Sequence, residues 1–328
     1  MQAGFPTTLA SLLRCPDDGG PLSISTPGGG APPAFLSEGA LSCSTCGQRL
    51  PISGGVLRLL HTKQLNRESA TELQVREQSF EIPRPGPLHE MQMQPTLAAL
   101  RPFDGSVLLE MGCGTGRYTT LLARACRAVV AVDFSLNRLA ALAQQLAPQA
   151  TVALVQADVT SLRVAPQLFQ RALSTLTSNL PDREHRLAMF GVAADALEAS
   201  GRFVFSTHFH GIRDRLLGVP QAGRYEEQNG DAGVFRYHMI HQEGAREAAP
   251  YFSRVRSRPI QILLPFARQL RLPLVGLSRF AEYIPLLNQF GNFLLFVATR
   301  PIHPPAEGVA SQPNRLVRAL VRWYQHSS

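Results

Sequence analysis

Between about Gly105 and Arg300 short apolar runs alternate with longer segments whose apolar positions recur every three to four residues. Runs of four to eight apolar residues bounded by turn formers read as buried strands, and the 3.6-residue period reads as helix. Strands are predicted at Ser106–Glu110, Ala128–Asp133, Val152–Val155, Arg171–Leu176, Arg202–Thr207 and Phe293–Ala298. Helices are predicted at Tyr118–Ala125, Leu136–Leu146, Ala188–Ala199 (with Gly201 as its C-cap) and Leu277–Leu287. This alternation is the signature of an α/β, doubly wound, mostly parallel sheet with helices on both faces.

The flanks break the pattern. Residues 1–60 hold Cys15, Cys43 and Cys46 around the Gly/Pro-rich stretch Thr26–Pro33 and read as a small module of their own. Residues 61–100 read as a polar, partly helical connector interrupted by Pro83, Pro85 and Pro87. The main domain spans 101–300, with 211–258 as an insertion between the fifth and sixth strands. Residues 301–328 form a Pro-rich linker and a basic amphipathic helix.

Composition narrows the class. The chain has 328 residues, 45% hydrophobic and 17% charged, enough for a sizeable core. No apolar run is long enough to span a bilayer, and Met1–Arg14 lacks the profile of a secretory signal. With five cysteines and one Cys-x-x-Cys pair, a reducing, cytoplasmic setting is expected, with thiols or a metal rather than disulfides. The net charge of +8 admits an anionic partner, but the arginines are scattered rather than clustered with aromatics.

The chemistry concentrates at Glu110-Met-Gly-Cys-Gly-Thr-Gly116, between the first strand and its helix. Glycines there allow a tight turn and let the backbone approach a ligand, with helix amides facing it. Asp133 ends the second strand, where it can accept hydrogen bonds from ribose hydroxyls, and Asp158 follows the third, within reach of an adenine amino group. The spacing Glu-x-Gly-x-Gly-x-Gly differs from the dinucleotide pattern Gly-x-Gly-x-x-Gly. On Leu108–Tyr118, Val130–Ser135 and Gln156–Asp158 the chain resembles the class I S-adenosylmethionine (SAM)-dependent methyltransferases, particularly the small soluble bacterial ones. The resemblance implies a seven-stranded sheet whose last strand, Phe293–Ala298, runs antiparallel. It places Glu110, Gly112, Gly114 and Gly116 near the methionine moiety, Asp133 on the ribose and Asp158 near the adenine. Thr175, in Ser174–Pro181 after the fourth strand, lies where such enzymes face the donor methyl. That segment lacks their Asn/Asp-Pro-Pro-Tyr/Phe pattern for exocyclic base nitrogens, and Asn179 is either a polar contact or a turn residue before Pro181.

His208 and His210, at the end of the fifth strand, are candidates for a base or a substrate contact; Tyr225 and Tyr237 are further candidates in the insertion. Cys43-x-x-Cys46 is half of a zinc knuckle, and Cys15-Pro-Asp-Asp18 would be the other half. The segment resembles the zinc ribbon preceding the catalytic domain in some bacterial methyltransferases, including certain ribosomal-RNA guanine enzymes, with Asp18 in place of their second cysteine. It holds zinc as Cys3Asp or is a ribbon that has lost its metal. Arg315, Arg318 and Arg322 share one face of the terminal helix, opposite Leu316, Leu320, Trp323 and Tyr324, so 314–326 offers a peripheral membrane contact or a packed helix with solvated arginines. The expected function is methyl transfer to a small-molecule or lipid-like acceptor. The alternatives are an RNA methyltransferase that uses the ribbon to bind RNA, and a non-catalytic SAM-binding protein.

Overall fold

The structure is a computed structural model that describes residues 3–24, 31–60, 67–78, 86–176, 180, 182–225, 234–263 and 272–303. The amino-terminal part supplies β1 (Phe5–Pro6), β2 (Leu22–Ile24), β3 (Phe35–Leu36), β4 (Gly39–Cys43), β5 (Arg49–Ser53) and β6 (Val56–Arg58). Helices α1 (Arg67–Gln78) and α2 (Pro87–Leu100) follow, with Pro87 seated in the first turn, where its missing N–H costs nothing. The main domain then runs β7 (Val107–Met111), α3 (Thr119–Leu122), β8 (Ala128–Asp133), α4 (Leu136–Gln145), β9 (Val152–Gln156), β10 (Phe169–Thr175), α5 (Arg183–Ala196) and β11 (Leu197–Phe209). It continues through α6 (Ile212–Leu216), β12 (Ala222–Tyr225), β13 (Val234–Met239), α7 (His241–Ala248), β14 (Phe252–Ile262), α8 (Leu274–Ala281) and β15 (Gly291–Pro301).

The central sheet has the order β9-β8-β7-β10-β11-β15-β14, parallel except for β15, which is antiparallel to both neighbours. The doubly wound architecture and the antiparallel last strand are as expected from the sequence. Strands β7, β8 and β9 are buried at every position, which is why they read as unbroken apolar runs. The amino-terminal strands extend this sheet: β6 pairs parallel with β9, and β5, β4 and β2 follow in antiparallel order. One apolar cluster runs from Phe5, Leu13 and Cys15 through Val130 and Val155 to Phe205 and Phe296.

Several boundaries differ from the sequence expectation. The helix expected at Tyr118–Ala125 is the single turn α3, after which irregular turns bring the chain back to β8. The helix expected at Ala188–Ala199 starts earlier, because Asp182 caps it by accepting from the His185 amide (2.9 Å). It also ends earlier, at Ala196, where Leu197 is buried in extended backbone. Gly201 is therefore not a C-cap but lies within β11, where a Cβ would stand 2.7 Å from the Glu198 carbonyl. The helix expected at Leu277–Leu287 is α8 at Leu274–Ala281, followed by a separate 3-10 turn at Leu287–Phe290. Part of the insertion ending near Arg258 belongs to β14. Asn179, Pro181, the Tyr225 side chain and the helix expected at 314–326 lie outside the described residues.

Candidate active site and metal centre

The glycine turn leaves β7 with its backbone pinned to β8: the amides of Gly112 and Cys113 both donate to the Val132 carbonyl, at 2.8 and 2.9 Å. Asp133, 6% exposed at the end of β8, ties the two ends together. Its Oδ2 accepts from the Gly114 amide at 2.7 Å and its Oδ1 from the Ser135 amide at 2.9 Å. Each oxygen keeps acceptor capacity, so ribose hydroxyls can still bind. Gly114 takes φ +56° with no described residue within 4 Å of where a Cβ would stand, so among the described residues the loop borders open space. Gly116 (φ +90°) is the opposite case: its Cβ would stand 2.2 Å from Leu142 Cδ1 on α4.

Glu110 is buried beneath this loop and accepts from the Thr119 hydroxyl at 2.7 Å. Burial, reinforced by the nearby Asp133 charge and opposed by the Thr119 hydrogen bond, pushes its carboxyl up to about 8. Asp158 lies just beyond β9 and folds its Oδ1 onto the Thr160 amide (2.9 Å) and hydroxyl (2.7 Å). Thr175 ends β10 beside Ser206 of β11. The next residue, Leu176, has φ +61°, a left-handed conformation, and its amide donates to Ser206 Oγ at 3.3 Å. Strain of this kind concentrates at functional sites.

Helix α2 contributes what the sequence reading missed. Gln92 is 3% exposed and accepts from Arg117 Nη1, just past the third glycine, at 2.5 Å. Its Nε2 is a buried donor with no hydrogen-bond partner among the described residues. An open cradle of backbone, carboxylates at two successive strand ends and an arginine with an unsatisfied amide fit a ligand carrying a ribose, an adenine and an amino-acid end. SAM has those parts.

Past β11 the chain continues into α6, then the β12–β13 hairpin, whose β13 pairs with the end of β11, and then α7, which packs on α5, β14 and β15. His208 is stacked on His238 (centroids 5.0 Å apart) and lies 5.1 Å from the Phe293 ring. Burial, then the His238 and Arg236 charges, lowers its pKa to about 3, so the ring is neutral at physiological pH. His210 Nε2 lies 3.0 Å from the Val219 carbonyl, and its ring interacts electrostatically with His238, on which His208 stacks. His238 Nδ1 lies 2.6 Å from Asp214 Oδ2 of α6. Tyr237 donates to Glu243, and Gln221 Nε2 donates to both the Tyr237 hydroxyl (3.2 Å) and Glu243 (3.0 Å). Arg186 of α5 lies over the Tyr237 ring at 4.2 Å and grips Glu247 with two hydrogen bonds of 2.9 and 2.7 Å. No motif announced Asp214, Glu243 or Glu247.

In the amino-terminal part Cys15, Asp18, Cys43 and Cys46 converge, their ligand atoms all within 4.8 Å of one another. Cys15 Sγ lies 3.7 Å from Cys46 Sγ, and Cys43 Sγ lies 3.3 and 3.6 Å from the two Asp18 oxygens. A tetrahedral ion bonded at about 2.3 Å to sulfur and about 2.0 Å to oxygen spaces its ligand atoms about 3.8 Å (S···S) and about 3.5 Å (S···O) apart. The cluster matches both spacings, and its thiol-rich donor set suits zinc. The Gly20 amide, donating to Asp18 Oδ1 at 2.8 Å, holds the carboxylate in place and lowers its pKa to about 2. The Gln48 amide lowers the Cys46 thiol, but burial and the neighbouring thiols and carboxylate outweigh it and push the thiol up to about 12.

Residues 108–201 match a family model described as a methyltransferase domain. A search of curated proteins finds no match. Among solved structures, an S-adenosylmethionine-dependent methyltransferase from Mesorhizobium loti is 20% identical, with a TM-score of 0.47, over 66% of this chain and all of that one. Phosphoethanolamine N-methyltransferase 1 from Haemonchus contortus, solved with phosphoethanolamine and S-adenosylhomocysteine, is 13% identical, with a TM-score of 0.47, over 81% of this chain and 51% of that one.

Proposed function

We propose that this chain, a SAM-dependent methyltransferase whose catalytic domain includes residues 108–201, methylates a small-molecule or lipid-like acceptor rather than RNA. The observation that carries this reading is the hydrogen-bonded polar network beside the end of β11. It is built on the carboxylates Asp214, Glu243 and Glu247, with Arg186 neutralised by Glu247 and His208 uncharged. The arginine and the carboxylates of this network are paired inside the fold, so the network itself offers no free cation to a phosphate backbone. A largely buried polar network suits a small acceptor.

SAM supplies a methyl group on a sulfonium, which passes to the acceptor in an in-line displacement. The protein's part is to hold the two partners in line. In this reading Asp133 accepts from the ribose hydroxyls and Asp158 from the adenine amino group. Arg117 and Gln92 Nε2 take the carboxylate of the methionine moiety, and Glu110, beneath the loop, braces Thr119. Thr175 and the strained Leu176 shape the methyl end. His208 and His210 contact the acceptor. The Cys15, Asp18, Cys43 and Cys46 cluster holds zinc as a structural brace, because a closed four-ligand set leaves no position for substrate.

The test is incubation with methyl-labelled SAM and separate lipid, small-molecule and RNA fractions. Label in the lipid or small-molecule fraction is expected; label in RNA sinks the reading. Asp133→Ala is expected to abolish S-adenosylhomocysteine binding by calorimetry, and normal binding by that variant would displace the ribose from Asp133.

A further inference from the structure

Among the described residues, the surface beside the end of β11 exposes several large apolar side chains. Leu216 (76% exposed) and Leu217 (67%) end α6, while Phe280 (67%), Tyr283 (76%) and Leu286 (69%) follow one another along α8 and the turn after it. The two segments are neighbours: α6 packs on the turn Leu287–Phe290, and Arg213 of α6 donates to Asn292. Exposed apolar side chains gathered on neighbouring segments mark an interaction face.

Charge selects the occupant. The exposed ionised groups among these residues are Arg213, Arg215 and Arg279. The acids beside them face inward, Asp214 toward His238 and Glu282, 5% exposed, toward Arg258. Apolar side chains ringed by arginines match the interface of an anionic bilayer, where the rings enter the headgroup region and the guanidiniums meet phosphates. The chain's own tail, residues 304–328, carries three arginines and one glutamate, and a second copy presents the same cationic face. Both would bring like charge to like charge.

We propose that the face formed by Leu216, Leu217, Phe280, Tyr283 and Leu286 docks the protein on an anionic membrane surface. Asp214, which bonds to His238 beside the end of β11, sits on the same short helix as Leu216, so docking brings that end of β11 to the lipid. The docking face does not depend on the acceptor assignment, and its test uses binding alone.

The full chain is mixed with vesicles of phosphatidylcholine, with or without phosphatidylglycerol, and floated on a density gradient. Flotation with the anionic vesicles, weakening as salt rises, is expected. Phe280→Asp is expected to reduce the bound fraction at least about tenfold, and Arg215→Glu about fivefold or more. Both variants should keep normal S-adenosylhomocysteine affinity, which verifies their fold. Leu320→Asp in the tail is expected to change nothing. Absence of flotation, equal flotation on neutral vesicles, or loss in Leu320→Asp with retention in Phe280→Asp overturns the proposal. So does a dimer in size-exclusion chromatography that Phe280→Asp dissociates.

Discussion

Replacing Gly114 and Gly116 one at a time by alanine separates two roles that the glycine turn combines. At Gly114 the new methyl meets no described residue within 4 Å, so the cost to the fold is that of a left-handed alanine, about 1–2 kcal/mol. At Gly116 the same backbone cost applies, and the methyl stands 2.2 Å from Leu142 Cδ1, where carbon contacts settle at about 3.5–4.0 Å. Leu142 is fully buried, so its methyl must move more than about 1 Å inside a packed layer, which adds about 1–3 kcal/mol. Gly116→Ala should therefore cost about 2–5 kcal/mol in urea unfolding followed by circular dichroism. The effect on binding should run the other way. Gly114→Ala projects its methyl into the open cradle and should weaken S-adenosylhomocysteine binding far more than it weakens the fold. Leu142→Ala placed on Gly116→Ala should cost less than the sum of the two single changes by more than about 1 kcal/mol, since the overlap is removed. Equal stability loss at both glycines, additivity with Leu142→Ala, or full affinity in Gly114→Ala refutes the assignment of loop sides.

Other expectations concern charge and metal. Glu110 binds its proton more tightly folded (about 8) than at its ordinary value of 4.5, so the unligated protein should lose stability as pH rises through that window. Glu110→Gln should remove the loss, and melting curves whose difference stays flat from pH 5 to about pH 8 contradict the burial argument. Glu247→Ala strands the Arg186 guanidinium, 4% exposed, and should cost about 3–5 kcal/mol; a loss below about 1 kcal/mol would mean that water reaches the pair. Elemental analysis should find zinc in the purified protein, and Cys46→Ser should lose it with a fall in melting temperature. Undiminished zinc in that variant removes Cys46 from the ligand set.

The donor half of the site was legible because its signals are local. A buried strand, a glycine turn and an acid at the next strand end fall within a few dozen residues, and β8 announces itself by being buried at all six positions. The Cys43-x-x-Cys46 pair was legible for the same reason. The polar network beside the end of β11 was not. His238 acquires its meaning from Asp214, 24 residues earlier, and only the pairing of β13 with the end of β11 brings them together. Gln92 was hidden differently: α2 turns a glutamine and a threonine toward the interior, so a helix that helps close the cradle reads as a polar connector. The early end of α5 was also out of reach, since Leu197 suits either a helix or a strand and its pairing with Phe169 decides.

The pairing of β6 with β9 has a consequence for how the chain is made. Val56 finds its strand partner at Leu154, and the Ala3 amide donates to the Ala143 carbonyl at 3.3 Å, so the amino-terminal strands must wait for nearly a hundred later residues before their edge is covered. During synthesis β6 is made well before its partner β9, so its edge opposite β5 stays open as a pairing template in the interval. A metal ion captured early by the cysteine knuckle would keep β2, β4 and β5 in register through that delay, acting as an assembly aid whose value is kinetic.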